Sequence, residues 1–191
     1  MEKYRPSKEE YYLNIAREVA KRSTCMRAKF GAIIVRDDQI VATGYNGAPR
    51  KVRDCYEIRI CLREKLNIPS GQRYEICRSV HSEQNAIINA ARAGVSILGG
   101  DMYIFGFRVA EGKEIQIKAF PCFICKKMII NAGLKRVICS QEGKGYKVYL
   151  VSDWVREWRK RDMLEEAEQY GIDYSNKTLS KSLKSKQHRN L

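Results

Sequence analysis

Histidine is scarce in this chain. Two occur in 191 residues, His81 and His188, and His188 lies in a polar tail. A site in the folded body that needs an imidazole therefore has one choice, His81. Long apolar runs are also absent. No stretch approaches the roughly 20 apolar residues that cross a bilayer as a helix, which excludes a helical channel or transporter. Met1-Glu2-Lys3-Tyr4-Arg5 leads straight into polar sequence, so no signal peptide is expected. No internal repeat is visible. Carboxylates are outnumbered, 22 against 36 Lys and Arg, for a net charge of +14. Lys177, Lys181, Lys184, Lys186 and Arg189 contribute five of those charges from a tail, 177–191, that holds no acidic residue. A basic surface suits nucleic acid or a phosphorylated small molecule. The tail by itself reads as a solvated, disordered segment.

Apolar residues make up 44% of the chain, ordinary for a globular protein, and its length suits one domain. The expected division is one folded domain over 1–176 with the basic tail after it. Seven cysteines are present, an odd number that suggests a reducing cytoplasm over a disulfide framework.

Two short motifs carry the chemistry. The first is His81-Ser82-Glu83 and the second is Pro121-Cys122-Phe123-Ile124-Cys125. Cys122 and Cys125 stand three apart, on one face at the start of a helix. Pro121 suits the turn into that helix. A helix N-terminus favours thiolate over thiol. His81 and Glu83 stand two apart and cannot share a helix face, which implies one metal ligand and one residue that is not a ligand. One imidazole and two thiolates give Zn²⁺ three protein ligands and leave a fourth position for water, the mark of a catalytic site. Glu83 is then placed to move that water's protons. A Cys-x-x-Cys alone is also found in redox and structural zinc sites.

Along the chain, Ser7-Lys8-Glu9-Glu10 is a capping box opening a helix that ends near Ser23. Segments 31–36 and 39–45 read as a hairpin turning at Asp37-Asp38. Segment 51–77 is a polar, cysteine-bearing excursion with a turn at Pro69-Ser70-Gly71. Segment 81–93 reads as a helix stopped at Gly94, and 101–107 as a strand. Segment 109–119 is a charged insert, readable as a hairpin around Glu111-Gly112. Segment 122–132 reads as a helix closed by Gly133. Segments 136–139 and 146–151 read as strands, 152–170 as helix, and 172–174 as a last short strand. Alternating helices and strands imply a mixed α/β sheet flanked by helices.

These motifs in this order resemble the cytidine deaminase-like superfamily of zinc nucleobase deaminases, and within it the deoxycytidylate (dCMP) deaminase family. The resemblance runs from about Tyr11 to Cys139. It rests on Gly31-Ala32-Ile33-Ile34-Val35, Gly44-Tyr45-Asn46-Gly47 and His81-Ser82-Glu83-Gln84-Asn85-Ala86-Ile87. Further on it rests on Ala90-Ala91-Arg92-Ala93-Gly94, Met102-Tyr103-Ile104, the Pro121 to Cys125 motif and Ile129-Ile130-Asn131-Ala132-Gly133.

The resemblance implies a three-layer α-β-α fold around a mixed five-stranded sheet. It implies zinc on His81, Cys122 and Cys125, with Glu83 as the proton carrier. The implied reaction is hydrolysis of dCMP to dUMP and ammonia, which would supply dUMP for thymidylate synthesis. Asn46 would contact the nucleotide, and Ser82, in place of the usual alanine, would sit against the base. A homo-oligomer with dCTP and dTTP as effectors is also implied. A free nucleotide needs a partner for its phosphate, and Arg50, Arg22 and Arg27 are candidates. The insert at 109–119 departs from the family pattern and is expected at the rim of the site. Members of the family also suggest a second, structural zinc on Cys25, Cys55, Cys61 and Cys77; unrelated thiols are the alternative reading. Cys139 reads as a core strand residue. Two other functions stay open: an editing deaminase acting on tRNA or single-stranded nucleic acid, and a zinc-stabilised binding module without catalysis.

Overall fold

The structure, a computed structural model, describes residues 5–69 and 71–161. Helix α1 spans Lys8–Ala20. At its start the Ser7 hydroxyl accepts from the Glu10 amide (3.2 Å), and the Glu10 carboxylate accepts from the Ser7 amide (2.9 Å). Both ends of the capping box are therefore made. Strands β1 (Lys29–Arg36) and β2 (Gln39–Tyr45) form the expected hairpin. Asp37 and Asp38 turn it with φ of 52° and 63°, the left-handed pair whose twist matches the flanking strands.

The excursion follows, with two single-turn helices, α2 (Cys55–Ile58) and α3 (Leu62–Lys65), and a 3-10 turn at Tyr74–Ile76. Next come α4 (Ser82–Arg92), β3 (Asp101–Ala110), β4 (Lys113–Ile117), α5 (Phe123–Asn131), β5 (Arg136–Ser140), β6 (Tyr146–Leu150) and α6 (Val151–Lys160).

Strand order is β2-β1-β3-β5-β6, with β3 and β5 parallel and the other pairs antiparallel. The sheet is mixed, and helices cover both its faces. Period-2 alternation assigns the faces. Ala32, Ile34, Met102, Ile104, Val137 and Cys139 point to one, beneath α4, α5 and α6. Ile33, Val35, Tyr103, Phe105, Phe107 and Ile138 point to the other, against α1. Each fully buried Ile or Met stabilises by about 1.5–3 kcal/mol relative to exposure.

Two glycines set how closely the helices approach. A Cβ on Gly31 would lie 2.2 Å from the Ala16 carbonyl of α1, and one on Gly44 would lie 2.3 Å from the Ala86 amide of α4. No side chain fits at either position.

The five expected strands are present, and the described residues add a sixth. The insert at 109–119 lengthens β3 and returns as β4, turning at Glu111 and Gly112 (φ 52° and 74°). Glu114 pairs with Arg17 of α1, and the Gln116 side chain donates to the carbonyls of Gln141 and Gly145, 2.9 Å each. The structure thus ties the hairpin to α1 and the β5–β6 turn. Helix α6 begins one residue before the expected start. The helical continuation past 161, the strand at 172–174 and the basic tail lie outside the described residues. No helix among the described residues is long and apolar enough to cross a membrane.

Candidate active site

The parallel pairing of β3 with β5 places the site. Helix α4 leads into β3 and α5 leads into β5, so the two helices run alongside each other and begin at the same end of the sheet. His81 is the N-cap residue of α4 and Cys122 that of α5. Cys125 lies one turn into α5. His81 Nδ1 is 3.4 Å from Cys122 Sγ and 3.3 Å from Cys125 Sγ. Among the described residues these three form the one group of at least three potential metal ligands whose donor atoms lie within 4.8 Å of one another. Tetrahedral zinc with N and S ligands at about 2.0 and 2.3 Å holds those atoms about 3.5 Å apart, so the donors fit that ion in both type and spacing.

The local fold explains the approach. The Gln84 side chain accepts from the His81 amide (2.9 Å), fixing the entry into α4. Gly47 and Val80 exchange backbone hydrogen bonds of 3.1 and 2.8 Å, pinning the loop after β2 to the residue before His81. Asn85 and Asn89 of α4 donate to the carbonyls of Tyr45 and Thr43 (2.8 and 2.7 Å), lacing the helix to β2.

Cys122 is held well below the usual thiol range, first by its hydrogen bond with the Cys125 thiol and then by His81, against the effect of burial. Cys125 is driven the other way by its bond to Cys122 and by burial, so the pair shares one proton. Burial opposes a charged His81, but Cys122 and then Glu83 outweigh it and raise the imidazole. Glu83 is buried beside the trio and hydrogen-bonded to the Cys125 thiol.

The remaining expected residues divide. Ser82 is fully buried, and its hydroxyl donates to Glu83 Oε2 at 2.8 Å. Asn46 is buried, with its amide turned onto the entry into β1. Its Oδ1 accepts from the Phe30 amide (2.8 Å), and its Nδ2 donates to the Ala28 carbonyl (3.0 Å). Arg50 does not join the trio. It is exposed and donates to Asn89 Oδ1 at 2.7 Å. All seven cysteines are free thiols. Cys25 and Cys61 act electrostatically on Cys55, whose thiol is pushed up by burial. Among the described residues, however, Cys25, Cys55, Cys61 and Cys77 are not drawn together as the trio is. The Arg78 side chain bonds to Cys55 and acts against the effect of burial on its thiol. Cys139 is buried in the core, as expected.

Sequence reasoning missed Tyr74. Its ring meets the His81 imidazole edge-on, with centroids 4.7 Å apart, and the Arg63 guanidinium lies over the same ring, 4.7 Å from its centre. Both residues lie in the excursion, where no periodicity or motif marks them.

The profile of the cytidine and deoxycytidylate deaminase zinc-binding region matches residues 6–141. The chain belongs to this deaminase family. Among its family relatives, the deoxycytidylate deaminase of Mycobacterium phage D29 is 33% identical over 143 residues, 72% of this chain and 98% of the phage protein. That of Schizosaccharomyces pombe is 32% identical over 136 residues, 71% of this chain. The chain spans only 38% of that yeast protein and 38% of the Saccharomyces cerevisiae enzyme. A solved dCMP deaminase from the cyanophage S-TIM5, crystallised with dCMP and dUMP, is 27% identical with a TM-score of 0.49, covering 71% of this chain and 82% of its own. The family's zinc-binding region includes His81, Cys122 and Cys125, the three residues whose donor atoms converge here.

Proposed function

We propose that this chain hydrolyses dCMP to dUMP and ammonia, with His81, Cys122 and Cys125 holding zinc and Glu83 carrying the protons. One observation supports this above the others: an imidazole and two thiols converge within 4.8 Å beside a buried carboxylate at the same helix start. A closed structural site has no use for that carboxylate, which counts against a binding module without catalysis. Bound zinc supplies a Lewis-acid charge that brings the pKa of a coordinated water to about 7.

The chain's own residues do the rest. His81 and the two cysteines fix the metal through helix starts anchored in the core. Glu83 takes a proton from the attacking water and delivers it to the ring N3, then takes the second from the hydroxyl formed at the attacked carbon and passes it to the departing amino nitrogen, so that water and dCMP become dUMP and ammonia. The Ser82 hydroxyl holds one oxygen of that carboxylate. Asn46 keeps one amide N–H and one lone pair beyond its bonds to β1, enough to meet a nucleotide. Homo-oligomer formation and regulation by dCTP or dTTP belong to the same reading, as does a cytoplasmic location, which suits seven free thiols.

The test is ammonia release from dCMP, deoxycytidine and a cytosine-containing oligonucleotide at equal ionic strength. The expected result is a kcat/KM for dCMP at least about tenfold above the other two. An oligonucleotide or tRNA that wins would show that the basic surface is a substrate groove, and the nucleotide reading would fall.

A further inference from the structure

Tyr74 opens the 3-10 turn of the excursion, yet its ring reaches a metal ligand. It meets the His81 imidazole at 89°, with centroids 4.7 Å apart. The other contacts of His81 leave the plane of its imidazole unset. Gln84 accepts from the backbone amide, and Nδ1 faces the two thiols. A ligating imidazole can still swing about its bond to the metal unless a partner outside the ligand set holds it, and such partners are commonly worth about 10- to 100-fold in metal affinity or activity. An aromatic ring set perpendicular to the imidazole blocks that swing.

The excursion bears two costs to keep Tyr74 in place. Arg73, the residue before it, takes φ 51°, a left-handed conformation that is unfavourable for a residue with a side chain. Arg63 is only 7% exposed, with its guanidinium over the Tyr74 ring. Its Nη2 donates to the Pro69 carbonyl at 2.6 Å, but its buried Nε has no hydrogen-bond partner among the described residues. Burying a guanidinium N–H without an acceptor is unfavourable. What the guanidinium gains there is the ring, since Arg stacks on an aromatic face as a delocalised plane.

We propose that Tyr74 is a positioning residue for the metal site: its ring fixes the plane of the His81 imidazole, and the buried Arg63 guanidinium fixes the ring. This rests on the reading that His81, Cys122 and Cys125 hold zinc, and it gives the excursion a part in metal affinity.

The experiment follows zinc retention by the loaded full-length protein against graded chelator, and the visible absorption bands of the cobalt-substituted protein, in wild type, Tyr74→Phe, Tyr74→Leu and Arg63→Met. The zinc-loaded preparations also give kcat and KM for dCMP. Tyr74→Leu keeps apolar bulk and loses the ring, so zinc affinity should fall about ten- to a hundredfold and the cobalt bands should shift. Tyr74→Phe keeps the ring and should match wild type in both; a Phe variant as weak as Leu would overturn the ring argument. Arg63→Met should lie between, about two- to tenfold weaker. With zinc saturating, the loss in Tyr74→Leu should fall on kcat, with KM near wild type. Unchanged zinc affinity and cobalt bands in Tyr74→Leu would overturn the proposal, even with a lowered melt, and leave Tyr74 a support for the excursion alone. A raised KM with unchanged zinc affinity would also overturn it and make Tyr74 a substrate contact. If Tyr74→Leu fails to melt cooperatively, Arg63→Met decides by the same two readouts, wild-type values refuting the proposal. A His81→Ala protein that keeps the wild-type zinc would instead refute the zinc reading itself, so the two failures are told apart.

Discussion

The starts of α4 and α5 rest on apolar residues that are almost fully buried: Ala86, Ala90 and Ile129 behind them are 0–1% exposed. The 51–77 excursion, which meets them at Tyr74 and His81, is built the other way. Helices α2 and α3 and the 3-10 turn bury no apolar side chain, and Arg63 is the one residue of these elements that is buried. Polar bonds hold the segment: the Asp54–Glu57 capping box, Arg63 on the Pro69 carbonyl, Arg78 on the Ile60 carbonyl at 2.9 Å, and Arg27 on Glu64. Metal ligands need a rigid base, and the core supplies one.

This contrast can be broken from either side. The largest effect is expected at the helix starts. His81→Ala or Cys122→Ala should abolish zinc binding at the trio and lower turnover more than about a hundredfold, with circular dichroism unchanged. Metal content per chain is the measurement. Cys55→Ser should leave that zinc in place. If total zinc instead falls from two equivalents to one, the excursion carries its own metal and is not held by polar bonds alone.

Gly44→Ala should come next. Its Cβ would collide with the Ser82 carbonyl and the Ala86 amide, pushing the helix that carries Glu83 off β2. A loss of about 3 kcal/mol in urea unfolding is expected, with turnover falling alongside. Stability within 0.5 kcal/mol of wild type would mean that α4 is not seated on that glycine.

The smallest effect is expected in the excursion. Asp54→Ala removes the cap that accepts from the Glu57 amide at 2.9 Å. It should cost about 1 kcal/mol, read as faster amide exchange around 55–58 with little change in the overall melt. Loss of the cooperative melt would show that the excursion is part of the folding core after all.

The same contrast explains what the sequence made legible. Strands β1, β3 and β5 could be read because helices cover both faces of the sheet and leave each as a short continuous apolar run, and the meeting of His81, Cys122 and Cys125 could be read because metal chemistry restricts residue type and spacing. The insert was legible as a hairpin through Glu111-Gly112, but its place as a sixth strand depended on β3 continuing past the end of its pairing with β1. Tyr74 and Arg63 were not legible, because stacking on an imidazole leaves no periodic trace. Asn46 shows a different gap. Its position was readable, but its bonds to Phe30 in β1 and to Ala28 just before it arise from the way the loop folds back there. Asn85 and Asn89 lace α4 to β2 through side-chain bonds that the helical period alone does not announce.

The central claim is that a carboxylate beside a three-ligand metal site moves the protons of a hydrolytic deamination. The most direct test is Glu83→Gln, with zinc content, melting and dCMP turnover measured on one preparation. Zinc and fold should match wild type while kcat drops about 10²–10⁴-fold, since an amide cannot carry the proton. A variant that keeps its zinc and more than a tenth of the wild-type rate would contradict the account.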